Sequence, residues 1–78
     1  MPREKTERII PLAPLDRLIR KAKAERVSEK AAMAMGEILE EVGIEIAAMA
    51  RDLAEHAHRK TINGNDIRLA YKQWRRKT

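Results

Sequence analysis

His56 and His58, two imidazoles separated by one residue, are the first place to look for chemistry, because an H-x-H pair can give a metal ion two ligands. A site needs more. The sequence has no cysteine, and no carboxylate is placed to converge with both rings, so the pair is expected to be ordinary core or surface histidine, with no metal and no cofactor. Nucleophilic catalysis has no better footing: no serine or lysine stands beside an activating base, and no glycine-rich run could cradle a phosphate. The chain is therefore expected not to be an enzyme and to have no small-molecule substrate. What remains is charge. Seventeen Lys and Arg against twelve Asp and Glu in 78 residues leave a net charge of +5 and an isoelectric point near 10.0, the balance of a small protein that meets polyanions.

That charge is unevenly distributed. Between Glu37 and Glu55 there are six acidic residues and one basic residue, so this block carries −5 and the rest of the chain +10. The acidic block reads in part as a solvated helix face, and the cations in its flanks predict one strongly positive surface. A membrane partner is not expected. The longest apolar runs, such as Ile46 to Ala50, fall far short of the roughly twenty residues a bilayer requires, and no hydrophobic region follows the charged start Met1 to Arg8. An intracellular location is the expectation.

The elements that must position these charges are helices. Ser28 to His58 reads as one amphipathic helix of about thirty residues, in which Met35, Ile38, Leu39, Val42, Ile46, Met49, Ala50, Leu53 and Ala57 recur by threes and fours. At about 1.5 Å per residue it would run roughly 43 Å, longer than the roughly 30 Å breadth of a compact chain of this size. One copy cannot cover it, so obligate dimerisation is expected, with Ile38, Leu39, Val42, Ile46 and Met49 as the dimer core. Before it, Pro11 and Pro14 lead into a short basic helix in which Leu15, Leu18, Ile19 and Ala22 share a face beside Arg17, Arg20, Lys21 and Lys23. Ser28 is a natural N-cap for the long helix and Glu29 suits its positive end. After it, Lys60 to Ile62 are expected to be briefly extended. Asn63 with Asp66 then forms a variant capping box opening a last helix, with Ile67, Ala70, Tyr71 and Trp74 on one face.

This short–long–short pattern, with Pro11-Leu12-Ala13-Pro14, Ala24-Glu25-Arg26-Val27-Ser28, Arg59-Lys60-Thr61-Ile62 and Asp66-Ile67, resembles the histone fold, and most closely the archaeal histones, over about residues 11 to 76. The resemblance implies an all-α histone-fold domain at 11–78 paired with a second copy in a handshake dimer, preceded by a flexible arm at 1–10. It implies that Arg26 enters the DNA minor groove, that Thr61 orients Arg26 of the second copy or bonds phosphate, and that Lys60, Arg17 and Arg20 face phosphates. It further implies an Arg59–Asp66 ion pair bracing the second loop, and a contact between dimers formed by Leu53, His56, Asp66 and Leu69. The function implied is wrapping and compaction of double-stranded DNA, largely independent of sequence, by homodimers that assemble into nucleosome-like particles or filaments. Another histone is a further possible partner, and the implied place is the cytoplasm, on the chromosome.

Two positions depart from the archaeal pattern: Lys23 stands where many members have glycine, and Asn63 where lysine is frequent. Lys23 bears on how closely successive turns of a wrapped filament stack. Gly43, near the midpoint of the long helix, suits a close crossing of two helices but equally suits a residue that is merely tolerated. The alternative function is a histone-fold subunit of a site-specific transcription factor acting as a heterodimer. Members of that kind often carry insertions or extra domains, and this chain has neither within residues 11 to 76. A membrane-surface helix is disfavoured because the long helix is acidic on its polar face.

Overall fold

The computed structural model describes residues 8–77 and contains three helices: α1 at Leu12–Lys21, α2 at Glu29–His56 and α3 at Gly64–Lys77. Among the described residues there is no strand, and no helix is long and apolar enough to cross a membrane. Residues 1–7, most of the expected arm, lie outside the described residues. Two compact units are delimited, one ending at Glu41 and the other beginning at Val42.

In the first unit α1 starts after Pro11, whose extended backbone (φ −62°, ψ 159°) serves as the N-cap without a side-chain bond. Pro14 falls in the first turn, where a missing N–H costs nothing. Of the expected apolar face, Leu15 is buried at 2 % exposure and Ile19 is half-buried, while Leu18 and Ala22 are exposed. Leu15 sits over Gly36 of α2 so closely that a β-carbon added there would lie 2.7 Å from Leu15 Cδ1. Here the absence of a side chain is what permits the packing. Ser28 caps α2 as expected: its Oγ accepts the Ala31 N–H at 3.0 Å and its carbonyl accepts the Ala32 N–H at 3.2 Å.

One expectation is corrected in this unit. Glu40, read with the solvated acidic face, is buried, and its Oε2 accepts the N–H groups of Ile9 and Ile10 at 2.7 and 2.9 Å. A buried carboxylate requires such donors, and an irregular segment supplies them because its amides are not used in a helix. Ile9 and Ile10, the last two residues of the segment 1–10, thus bond to α2.

In the second unit the fully buried residues are Ala50 and Ala54 on α2 and Ala70 on α3, with Asp66. Trp74 Nε1 donates to Glu45 Oε1 at 2.9 Å, tying the far end of α3 to α2. Tyr71 stacks on Trp74 with ring centroids 6.3 Å apart, and the Arg75 guanidinium lies 5.7 Å from the Tyr71 ring centre. The chain gives no internal reason for Gly43, since a β-carbon there would meet nothing within 4 Å.

The long helix ends two residues before His58, where the sequence pattern had placed its end. His58 adopts a left-handed backbone (φ 61°), its N–H donates to the Glu55 carbonyl at 2.9 Å, and the Arg59 N–H donates to the Ala54 carbonyl at 2.9 Å. These two bonds form a Schellman termination, which normally puts glycine where His58 stands. Lys60 and Thr61 then bend instead of extending. The bend follows from Arg59, whose Nη1 donates to the Thr61 carbonyl at 3.2 Å and so gathers the segment inward.

Of the long apolar stripe, the chain itself buries Ala50 and half-buries Met35, but the rest is covered only in part. Ile38 is 56 % exposed and Leu39 36 %, while Val42, Ile46, Met49 and Leu53 are half-buried and Ala57 is exposed. Burying that surface is worth about 25 cal/mol per Å², so it is a reservoir of free energy for association.

Candidate nucleic-acid interface

The first loop, between α1 and α2, is shaped by Arg20. Its Nε pairs with Asp16 Oδ2 one turn earlier at 3.0 Å, and its Nη1 donates to the Glu25 carbonyl at 3.3 Å. One guanidinium therefore satisfies a carboxylate on the helix and an orphan carbonyl in the loop, an arrangement its planar fork favours over an ammonium. Lys23 closes the helix with a left-handed backbone (φ 75°), its N–H donating to the Arg20 carbonyl at 2.9 Å. Arg17 and Arg26 are exposed and make no ion pair among the described residues. Arg26 is thus presented outward from a loop that Arg20 braces.

The second loop is built around Asp66. Its Oδ2 and Oδ1 accept Nη1 and Nη2 of Arg59 at 2.8 and 2.9 Å, and Oδ2 also accepts the Asn63 N–H at 2.9 Å. Asn63 Oδ1 in turn accepts the Asp66 N–H at 2.9 Å, completing a reciprocal cap on α3. Two parallel N–H···O bonds fix orientation as well as distance, so the loop backbone between Arg59 and Asp66 is held at both ends. The Arg59 bonds, then the Asn63 amide, hold the Asp66 carboxyl down at about 2, and the same pair raises the Arg59 guanidinium above its ordinary value. Lys60 and Thr61 lie exposed on the outer side of this braced bend, and neither side chain has an ion-pair or hydrogen-bond partner among the described residues.

Leu53 and His56 line one shallow depression with Met49, Asp52 and Gln73. His56 Nδ1 lies 3.2 Å from the Asp52 carbonyl, which can only accept, so that nitrogen carries the proton in this contact. Leu69 is exposed at 44 %, whereas Asp66 is buried and engaged by Arg59 and Asn63. Among the described residues no three of His, Cys, Asp or Glu come together in a way that could hold a metal ion.

Sequence reasoning missed Glu40 as the anchor of Ile9 and Ile10, the notch between Leu15 and Gly36, and the left-handed caps at Lys23 and His58. An acid or a lysine gives no sign of such a role. The usual signal for a left-handed cap is glycine, and neither position has it.

Three helices in this order, with a capped long central helix and two braced loops carrying outward cations, define a histone fold. The match is independent of that geometry as well: residues 8–71 fit the model of the family described as histone-like transcription factor (CBF/NF-Y) and archaeal histone, and the chain belongs to that family. It is similar to one of the subunits of the archaeal histone HAN1 of Thermococcus zilligii, with 59 % identity over 63 residues covering 81 % of this chain and 94 % of that protein. It is also similar to the probable archaeal histone 3 of Methanocaldococcus jannaschii, with 48 % identity over 61 residues covering 78 % of this chain and 91 % of that protein.

Proposed function

We propose that this histone-fold protein binds double-stranded DNA as a homodimer and wraps it, successive dimers assembling into nucleosome-like particles or filaments on the chromosome in the cytoplasm. The observation that carries the reading is the pair of loops: each is locked by a guanidinium bonded to a carboxylate and to a loop carbonyl, and each presents uncommitted polar groups outward, Arg26 from one and Lys60 with Thr61 from the other. A rigid loop with an outward cation suits a regularly spaced phosphate backbone, because little ordering entropy is lost on contact. Arg26 is the residue to enter a narrow minor groove, where the negative potential favours a guanidinium and little sequence information is read. Lys60, Arg17 and Arg20 answer phosphates, Arg20 through what its bonds to Asp16 and Glu25 leave over.

Dimerisation follows from the apolar stripe. Ile38, Leu39, Val42, Ile46 and Met49 form the core between two copies of α2, and Leu53, His56, Asp66 and Leu69 the contact joining one dimer to the next. Another histone could take the place of the second copy through the same stripe. The protein acts by binding and bending, with no cofactor and no reaction.

The test is equilibrium binding to several unrelated duplexes over a salt series. Comparable affinities on every sequence, falling steeply with salt, support the reading, because phosphate neutralisation gives a slope of about −0.9 per contact. A strong preference for one duplex, with failure to self-associate, would point instead to a heterodimeric site-specific factor. No binding at low salt would remove DNA from the account.

A further inference from the structure

Lys23 occupies a backbone state that favours glycine. Its φ of 75° closes α1, and its N–H is bound to the Arg20 carbonyl. A β-carbon in that region is strained, and a helix end of this kind is ordinarily finished by glycine for that reason. Strain of this sort is held in place by the surrounding structure and clusters at positions whose side chain has a use. Within the fold, no such use is visible. Lys23 is exposed and its ammonium makes no ion pair among the described residues. It does not reinforce the loop either, since Arg20 already bonds Asp16 and the Glu25 carbonyl.

The surroundings say what kind of partner the charge suits. With Asp16 answered by Arg20, the ionic groups left on this stretch are Arg17, Lys21, Lys23, Glu25 and Arg26, four cations to one anion. Lys23 lies three residues before Arg26, as the other left-handed residue, His58, lies three before Thr61. The two caps therefore stand at equivalent places relative to the two loops. His58 shows that the cap geometry does not itself demand a lysine; the permanent charge is what distinguishes position 23.

We infer that Lys23 is a further DNA-backbone contact of the first loop, its ammonium neutralising a phosphodiester beside the site that Arg26 approaches. An ammonium acts there as a point charge and carries no sequence information. The inference rests on the DNA-binding reading above.

The experiment is fluorescence anisotropy with a labelled duplex just long enough for one dimer, which excludes contacts between successive turns of a filament. Wild type, Lys23→Gly, Lys23→Gln and Lys23→Arg are compared over a salt series, each with its melting temperature. Lys23→Gly and Lys23→Gln are expected to bind several-fold more weakly at low salt, with the slope of log K against log salt shallower by about 0.9, the loss of one phosphate contact. Lys23→Arg is expected to keep the wild-type slope. Lys23→Gly should melt higher than wild type, so its weaker binding cannot come from unfolding. Wild-type slopes in both Lys23→Gly and Lys23→Gln, with wild type itself binding, would overturn the inference and leave the DNA reading intact. Failure of wild type to bind at low salt would instead overturn the DNA reading, and this inference with it.

Discussion

Leu15 and Gly36 should behave as a coupled pair, and the coupling can be worked from their geometry. Leu15 is 2 % exposed and fills the notch that Gly36 leaves open on α2. Truncation of a buried leucine to alanine costs about 2–5 kcal/mol, and with a glycine as the floor of the notch no β-carbon can move in, so about 4 kcal/mol is expected for Leu15→Ala. Gly36→Ala has two opposed terms: about 1 kcal/mol gained from helix propensity, and about 2 kcal/mol lost by pushing a methyl against Leu15 Cδ1 in an already filled space. The net is a loss of about 1 kcal/mol. In the Leu15→Ala background the clash is gone, so the same change should stabilise by about 1 kcal/mol, and the double variant should lose about 3 kcal/mol where additivity requires about 5. The assay is guanidinium denaturation followed by helical circular dichroism at one fixed protomer concentration, because mass action shifts the midpoint of any dimer. Additivity of the two changes within about 0.5 kcal/mol would refute the notch.

Three other outcomes are expected. The Asp66 carboxyl is lowered from 3.8 to about 2, so its contribution to stability is complete above 3.8 and is lost as the pH falls from there through 2. Asp66→Asn, which cannot titrate, should melt lower than wild type at pH 5 and lose less between pH 5 and pH 2; an unchanged acid limb would show that the Arg59 pair does not govern it. His58→Gly relieves a left-handed β-carbon worth about 1–2 kcal/mol, less about 0.5–1 for the freer unfolded glycine, so a gain of about 0.5–1 kcal/mol is expected in the same denaturation assay. A loss on substitution would mean that the His58 side chain contributes more than the strain. Glu40→Ala removes the acceptor of the Ile9 and Ile10 amides, so hydrogen exchange at both and tryptic cleavage after Arg8 should accelerate, with Glu40→Gln, which keeps one acceptor oxygen, in between. Unaltered exchange at Ile9 and Ile10 would show that this tether does not hold the segment.

Much of the architecture could be read from residues whose type and role coincide. Ser28 and the Asn63–Asp66 pair are caps by chemistry alone, and the structure shows the bonds they make. The period of the apolar residues placed the long helix, although it overran by two residues because His56 and His58 carry no stop signal of their own. The misplaced features are those in which the side chain's identity is indifferent to its role. Glu40 belongs by pattern to an acidic outer face, yet it is buried and accepts the amides of Ile9 and Ile10. The segment at Lys60 and Thr61 looks extended by β-propensity, but Arg59 bonding both Thr61 and Asp66 overrides a preference that is weak in a short stretch. Of the candidate interface, Arg26, Lys60 and Thr61 could be singled out through the resemblance of their loop motifs. The Arg20 bonds that shape the first loop could not, since an arginine four residues from an aspartate is usually only a weak surface pair.

The most direct test of wrapping by assembling dimers is micrococcal nuclease digestion of complexes formed on several unrelated duplexes over a series of protein-to-DNA ratios. The account predicts protected fragments that lengthen in regular steps as protein is added, on every sequence. A single protected length confined to particular sequences, or no protection at low salt, would contradict it.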